Sequence, residues 1–115
     1  MGVINKYLES DLFVIEVLTE AADSEIKVFD SDAPAAFQVI DAYVISELTG
    51  SGDTVKITDG TNDIVAAMSV ATLDLLVRAT DIDLTYAKIA AGGSLSTVTA
   101  SGAAGRVFII CQRTN

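Results

Sequence analysis

The run Phe37-Gln38-Val39-Ile40-Asp41-Ala42-Tyr43-Val44-Ile45-Ser46-Glu47-Leu48 contains no Gly or Pro and is dominated by β-branched and aromatic side chains. Such side chains pack well on a pleated surface and lose rotamer freedom in a helix, so a long strand is expected here. Read at a period of two, Ile40, Ala42, Val44 and Leu48 fall on one face and Phe37, Val39, Tyr43 and Ile45 on the other. Both faces are apolar, which asks for cover on both sides.

The flanking sequence repeats the pattern in shorter form. Candidate strands are 12–18, 25–29, 37–48, 54–58, 62–67, 84–90, 94–100 and 105–111, and Val and Ile make 23 of the 115 residues. Between them lie turn signals that accept positive φ or bond their own backbone: Gly50-Ser51-Gly52-Asp53, Asp59-Gly60-Thr61-Asn62, Gly92-Gly93 and Ser101-Gly102. About eight short antiparallel strands with such breaks predict an all-β, single-domain, jelly-roll-like β-sandwich. Residues 1–11 show no sustained period and read as an N-terminal arm, leaving 12–115 as the sandwich domain. The exception is 66–83, where Val70, Leu73, Leu76 and Val77 recur at helical spacing behind a possible Ser69 cap. A short helix or a long crossover is expected there.

Composition narrows the function. Half of the residues are apolar and 20% are charged, with a mean hydropathy of +0.47, the reverse of a disordered chain. Sixteen acidic against seven basic side chains give a formal charge of -9. Nucleic acid and anionic membrane are therefore not expected partners. No His occurs, which removes the commonest general base and zinc ligand together with every Ser/His and Cys/His nucleophile pair. The single Cys111 sits in the apolar run Val107-Phe108-Ile109-Ile110-Cys111 and reads as a small buried hydrophobe. Met1 to Lys6 carries neither a signal-peptide pattern nor the Ser/Thr of a myristoylation site, so a cytosolic product without a membrane span is expected.

The clustered carboxylates favour turn formation over chemistry. Asp30, Asp32, Asp59, Asn62 and Asp63 lack the spacing of a calcium loop, and Asp and Asn ordinarily bond their own backbone in turns. Asp81 with Asp83, or Asp30 with Asp32, could supply the two acids of a glycosidase, but a chain with no Trp and three Tyr offers little aromatic platform. No catalytic residue, cofactor or metal is expected. The surplus apolar faces of 12–18, 37–48 and 105–111 instead require another layer, either the 66–83 segment or a neighbouring subunit, and a homo-oligomer is the better fit. Tyr7 and Tyr43 are candidate interface anchors, a core position being an equally good reading of Tyr43.

Val28-Phe29-Asp30-Ser31-Asp32-Ala33-Pro34, the segment Phe37 to Tyr43, Gly52-Asp53-Thr54-Val55, and Ile89-Ala90-Ala91-Gly92-Gly93-Ser94-Leu95, taken with the strand order, resemble the small capsid decoration, or cement, proteins of tailed bacteriophages. The resemblance spans roughly residues 25–113 and rests on pattern and turn placement. It implies a jelly-roll homotrimer on the outside of the virion capsid, made in the host bacterial cytoplasm, that holds neighbouring major capsid proteins together. It also implies attachment through an N-terminal segment, for which Val3, Ile4, Tyr7 and Leu8 are candidates, packing within the trimer being the alternative for the same residues. Phe37, Val39, Tyr43 and Ile45 on the doubly apolar long strand are further candidates for a capsid or subunit interface. A dimer is the alternative to the trimer, and a tail or fibre module binding glycan or receptor is the alternative to the capsid role.

Overall fold

The computed structural model describes residues 3–9, 11–20, 24–48, 54–70, 75–100 and 104–114, with the side chains of residues 3, 5–9 and 48 left aside. Ten strands run in order: β1 Val3–Glu9, β2 Leu12–Thr19, β3 Glu25–Phe29, β4 Phe37–Leu48, β5 Thr54–Thr58, β6 Asp63–Ser69, β7 Leu76–Arg78, β8 Lys88–Ile89, β9 Leu95–Ala100 and β10 Ala104–Arg113. No helix occurs among the described residues.

The strands form two antiparallel sheets. One has the order β1-β2-β10-β4-β7, with β8 also paired to β4, and the other has the order β3-β9-β5-β6. Apart from the β1–β2 and β5–β6 hairpins, every strand is followed in sequence by one that is not its sheet neighbour, and most connections cross between sheets. With β7 and β8 counted as one interrupted edge strand, β2-β10-β4-(β7, β8) facing β3-β9-β5-β6 is the double Greek-key order of a jelly roll.

The interior is packed by alternate residues of both sheets. Ile15, Val17, Val39, Val44, Val107 and Ile109 meet Val55, Ile57, Ile64, Val65 and Leu95, all at 1% exposure or less. Burying one such side chain contributes about 1.5–3 kcal/mol, so this layer is the main source of stability. Cys111 lies in it as a buried free thiol whose S–H reaches the Ile109 carbonyl at 3.9 Å, as its apolar run suggests.

Three expectations are corrected. First, the face assignment along β4 switches midway. Ile110 pairs with Asp41 and Cys111 with Val39, so Ile40 is the extra residue of a β-bulge. Val39 is buried at 0% and Phe37 at 2%, Ile40 is exposed, and Ala42, Val44 and Ser46 point inward again. Phe37 and Val39 are therefore core residues and not interface candidates, while Tyr43 and Ile45 do face outward. The Asp41 carboxylate closes the bulge by accepting the Ala42 N–H at 2.8 Å.

Second, the stretch read as an arm includes an edge strand. β1 pairs with β2 from Val3 opposite Leu18 to Glu9 opposite Leu12, and Ile4 packs against the core. The side chains of Val3, Tyr7 and Leu8 lie outside the described set. The 4.7–4.9 Å spacing of strands allows any extended segment to add to a free sheet edge through its backbone, so a clean period is not required.

Third, 84–90 is mostly turn. The Asp83 carboxylate accepts the Thr85 N–H at 2.9 Å, and the Asp83 carbonyl accepts the N–H groups of Tyr86 and Ala87, so only Lys88–Ile89 is strand. The described part of 66–83 is β6, β7 and a crossover; residues 71–74, and with them Leu73, lie outside the described residues. From β7 the chain leaves β4, bridges Ile82 to Val65 of the opposite sheet, and returns through the Val39 N–H to Ala87 carbonyl bond of 2.9 Å. That excursion closes one flank of the sandwich. The turn signals at Gly50 to Asp53 and at Ser101-Gly102 also lie outside the described residues.

Candidate functional site

The outer face of the six-stranded sheet is the surface most unlike a solvated one. In an antiparallel sheet directly paired residues share a face, and the registers set out three rows across it. Val14, Ile110 and Asp41 form the first, Glu16, Phe108, Tyr43 and Arg78 the second, and Leu18, Arg106, Ile45 and Leu76 the third. At one end Ile40 is added by the bulge, and Leu12 pairs with Gln112.

The rows interleave aliphatic and aromatic groups with charged ones, with Phe108, Tyr43 and Ile110 adjacent on the two middle strands and Arg106 and Asp41 beside them. Tyr43 stacks on Phe108 with ring centroids 4.8 Å apart and planes 20° from parallel. Offset aromatic stacking of this kind adds to the area the rings bury. Leu12, Ile40 and Leu76 are 53%, 41% and 52% exposed, while Val14, Leu18, Ile45 and Ile110 are half-buried. Arg78 pairs with Asp41 at 3.3 Å and Arg106 with Glu47 at 2.8 Å. The face thus combines aromatic and branched side chains with charges that are paired to one another.

Of the residues expected at an interface, the fold brings Tyr43 and Ile45 to this face, sends Phe37 and Val39 to the core, and sets Ile4 against the core. The doubly apolar run Val107 to Cys111 already signals Phe108 and Ile110. Leu76 and Arg78 carried no usable signal, because their segment matches a helical spacing and reaches this face only by pairing along β4.

The carboxylate clusters are engaged as turn formers. Asp59 accepts the N–H groups of Thr61 at 2.9 Å and Asn62 at 2.6 Å, and Asp32 accepts the Asp30 N–H at 2.8 Å. Partial burial opposes the charge of Asp59, but bonds from the Asn62 and Thr61 backbone and the Asn62 amide outweigh it and hold the carboxyl below its ordinary 3.8. Asp30 pairs with Lys27 at 3.8 Å. Among the described residues no group of three or more His, Cys, Asp or Glu is placed to hold a metal ion. Burial pushes the Cys111 thiol up to about 12, which suits packing and not nucleophilic chemistry.

A polar hollow of about 240 Å³ opens on the other sheet beside Glu25, Lys27, Asp59, Thr61, Ser94 and Ser96. The chain matches no protein-family model, and neither a curated protein nor a solved structure shows significant similarity to it.

Proposed function

We propose that this chain is a non-enzymatic structural protein that assembles through the outer face of its six-stranded sheet, as a homotrimeric cement protein on the outside of a tailed-phage capsid. The observation that carries the reading is the apolar centre around Tyr43 and Phe108, on a sheet face that a monomer would fill with polar side chains. The jelly-roll order and the resemblance of residues 25–113 support it, and the formal charge of -9 would keep such a protein off nucleic acid.

The first test is solution mass by light scattering after size exclusion, at micromolar and sub-micromolar concentration. A mass of three chains that falls to one in Phe108→Glu is the expected result. A monomer at both concentrations overturns the assembly. Binding of the trimer to expanded, undecorated phage heads then tests the capsid role, and failure to bind removes that role without touching the trimer.

The second reading is a tail or fibre module for glycan or receptor, favoured by the polar hollow near Asp59 and Ser94. Glycan-array binding lost in Ser94→Leu would support it, and an array without hits would set it aside.

A further inference from the structure

Three of the four phenylalanines meet at one end of the sandwich, away from the outer face of the six-stranded sheet. Phe13 at the start of β2 meets Phe37 edge-on at 5.4 Å and 71°, and Phe29 at the end of β3 meets the same ring at 5.7 Å and 58°. All three are buried, yet they do not fill the space between them. A cleft of about 240 Å³ open to solvent remains beside them, lined also by Pro34, Ala35, Ala36 and Arg113.

A dry apolar cavity of about 150 Å³ already accepts a benzene ring, so a cleft of this size and lining has room for one. The walls are fixed before any ligand arrives. The loop 30–36 is tied to the turn before β9 by the Ala33 N–H to Gly93 carbonyl bond at 3.2 Å and the Gly92 N–H to Ala33 carbonyl bond at 2.7 Å. On the far side the Thr114 N–H reaches the Ala36 carbonyl at 2.9 Å, and the Arg113 N–H reaches the Asp11 carbonyl at 2.6 Å. A preformed pocket avoids the cost of ordering loops on binding.

Its one charged lining group is Arg113, which pairs in register with Phe37. Arg78 and Arg106 are each ion-paired to a carboxylate, whereas the Arg113 guanidinium has no such partner among the described residues. In a chain with sixteen acidic and seven basic side chains, a guanidinium beside an apolar cleft with no carboxylate partner among the described residues sets Arg113 apart from Arg78 and Arg106. Its planar fork matches a carboxylate, and a single positive charge balances a single negative one.

We infer that this end of the sandwich binds a small organic acid, with one ring or a short hydrocarbon chain among Phe13, Phe29 and Phe37 and the carboxylate on Arg113. The site does not depend on the capsid role, since none of its residues belongs to the three rows around Tyr43 and Phe108.

Amide-resolved NMR titration with phenylacetate tests it. Saturable shifts at residues 33, 35–37 and 113–114 are expected, with a dissociation constant of about 1 mM for a ligand of this size. Phenylacetamide, which keeps the ring and loses the charge, should bind about tenfold more weakly, and Arg113→Gln should lose about the same factor for phenylacetate. Acetate should give no saturable shift there, and Ala35→Leu should fill the cavity and abolish binding. Arg113 is exposed, so its variant should keep the dispersed spectrum of the folded chain. Absence of saturable shifts with phenylacetate, equal binding of phenylacetamide, or unchanged affinity in Arg113→Gln would each overturn the assignment.

Discussion

The ring of Tyr43 on β4 lies over the ring of Phe108 on β10, 4.8 Å away and within 20° of parallel, on the face of the sheet turned away from the core. Paired rings on a free sheet face can act twice, once within the fold and once as the centre of a contact between copies. A double-mutant cycle with Tyr43→Ala and Phe108→Ala, read by urea unfolding at fixed chain concentration, should give a coupling of about 1 kcal/mol. If the rings also anchor the assembly, each single variant should lower the solution mass, and coupling without a change in mass would confine the pair to the fold.

Thr97 is buried at 1% on β9, and its hydroxyl finds no hydrogen-bond partner among the described residues. It pairs in register with Ile57, a core residue, so the hydroxyl is held among hydrocarbon. Thr97→Val keeps the shape and removes the unsatisfied group. The variant should be more stable by about 1 kcal/mol, seen as a higher urea midpoint at unchanged slope. A lower midpoint would show that the hydroxyl has a partner after all.

Why some of this was legible in sequence and some was not follows from what each signal encodes. The bounds of β3, β4 and β5 match the expected segments because composition and turn residues change together at their ends. The inward and outward faces of β4 did not read through, because alternation carries no mark of an inserted residue. Ile40 shifts the parity, so the same run sends Phe37 and Val39 inward and Tyr43 and Ile45 outward. At Leu84 to Tyr86 strand-forming side chains lose to the Asp83 carboxylate, which bonds the local backbone first. Edge pairing of β1 and β7 depends on which sheet edges are left open, and that is a property of the whole fold. The pocket near Arg113 had no local signal, since its three phenylalanines come from three separate strands.

Gly105 marks a place where two backbones come too close for a side chain. A Cβ added there would lie 2.5 Å from the Ile45 carbonyl oxygen, at a register shift between β10 and β4. The Thr19 hydroxyl accepts the Gly105 N–H at 2.9 Å and donates to its carbonyl at 3.2 Å, which fixes the approach from the other side. Gly105→Ala should cost about 2 kcal/mol or more through forced movement of β4. Thermal unfolding would check this, and an unchanged transition would mean that the strands can part freely at this point.

Cys111 should behave as hydrocarbon. With the thiol pushed up to about 12 by burial, very little thiolate exists near neutral pH, and the sulfur is shielded by both sheets. Its modification by a disulfide reagent should be slow in the native protein and should accelerate in urea in step with unfolding. Fast stoichiometric labelling of the native chain would show that this part of β10 opens locally.

Asp59 gives the fold a defined acid sensitivity. Its carboxylate organises the β5–β6 hairpin by accepting from Thr61 and Asn62, while Gly60 supplies the φ of 98° that the turn needs. The folded chain holds this carboxyl below its ordinary 3.8, so the ionised form is the one the native state favours. The stabilisation is therefore complete above that ordinary value and is lost as pH falls through the lower, folded one. Asp59→Ala should be less stable than the parent by roughly 1 kcal/mol at neutral pH, from the loss of the turn bonds. The gap should narrow below pH 3.8 as the parent takes up its proton. Urea midpoints of both proteins from neutral pH into the acid range would check this, and a gap independent of pH would assign the turn to Gly60 and the backbone alone.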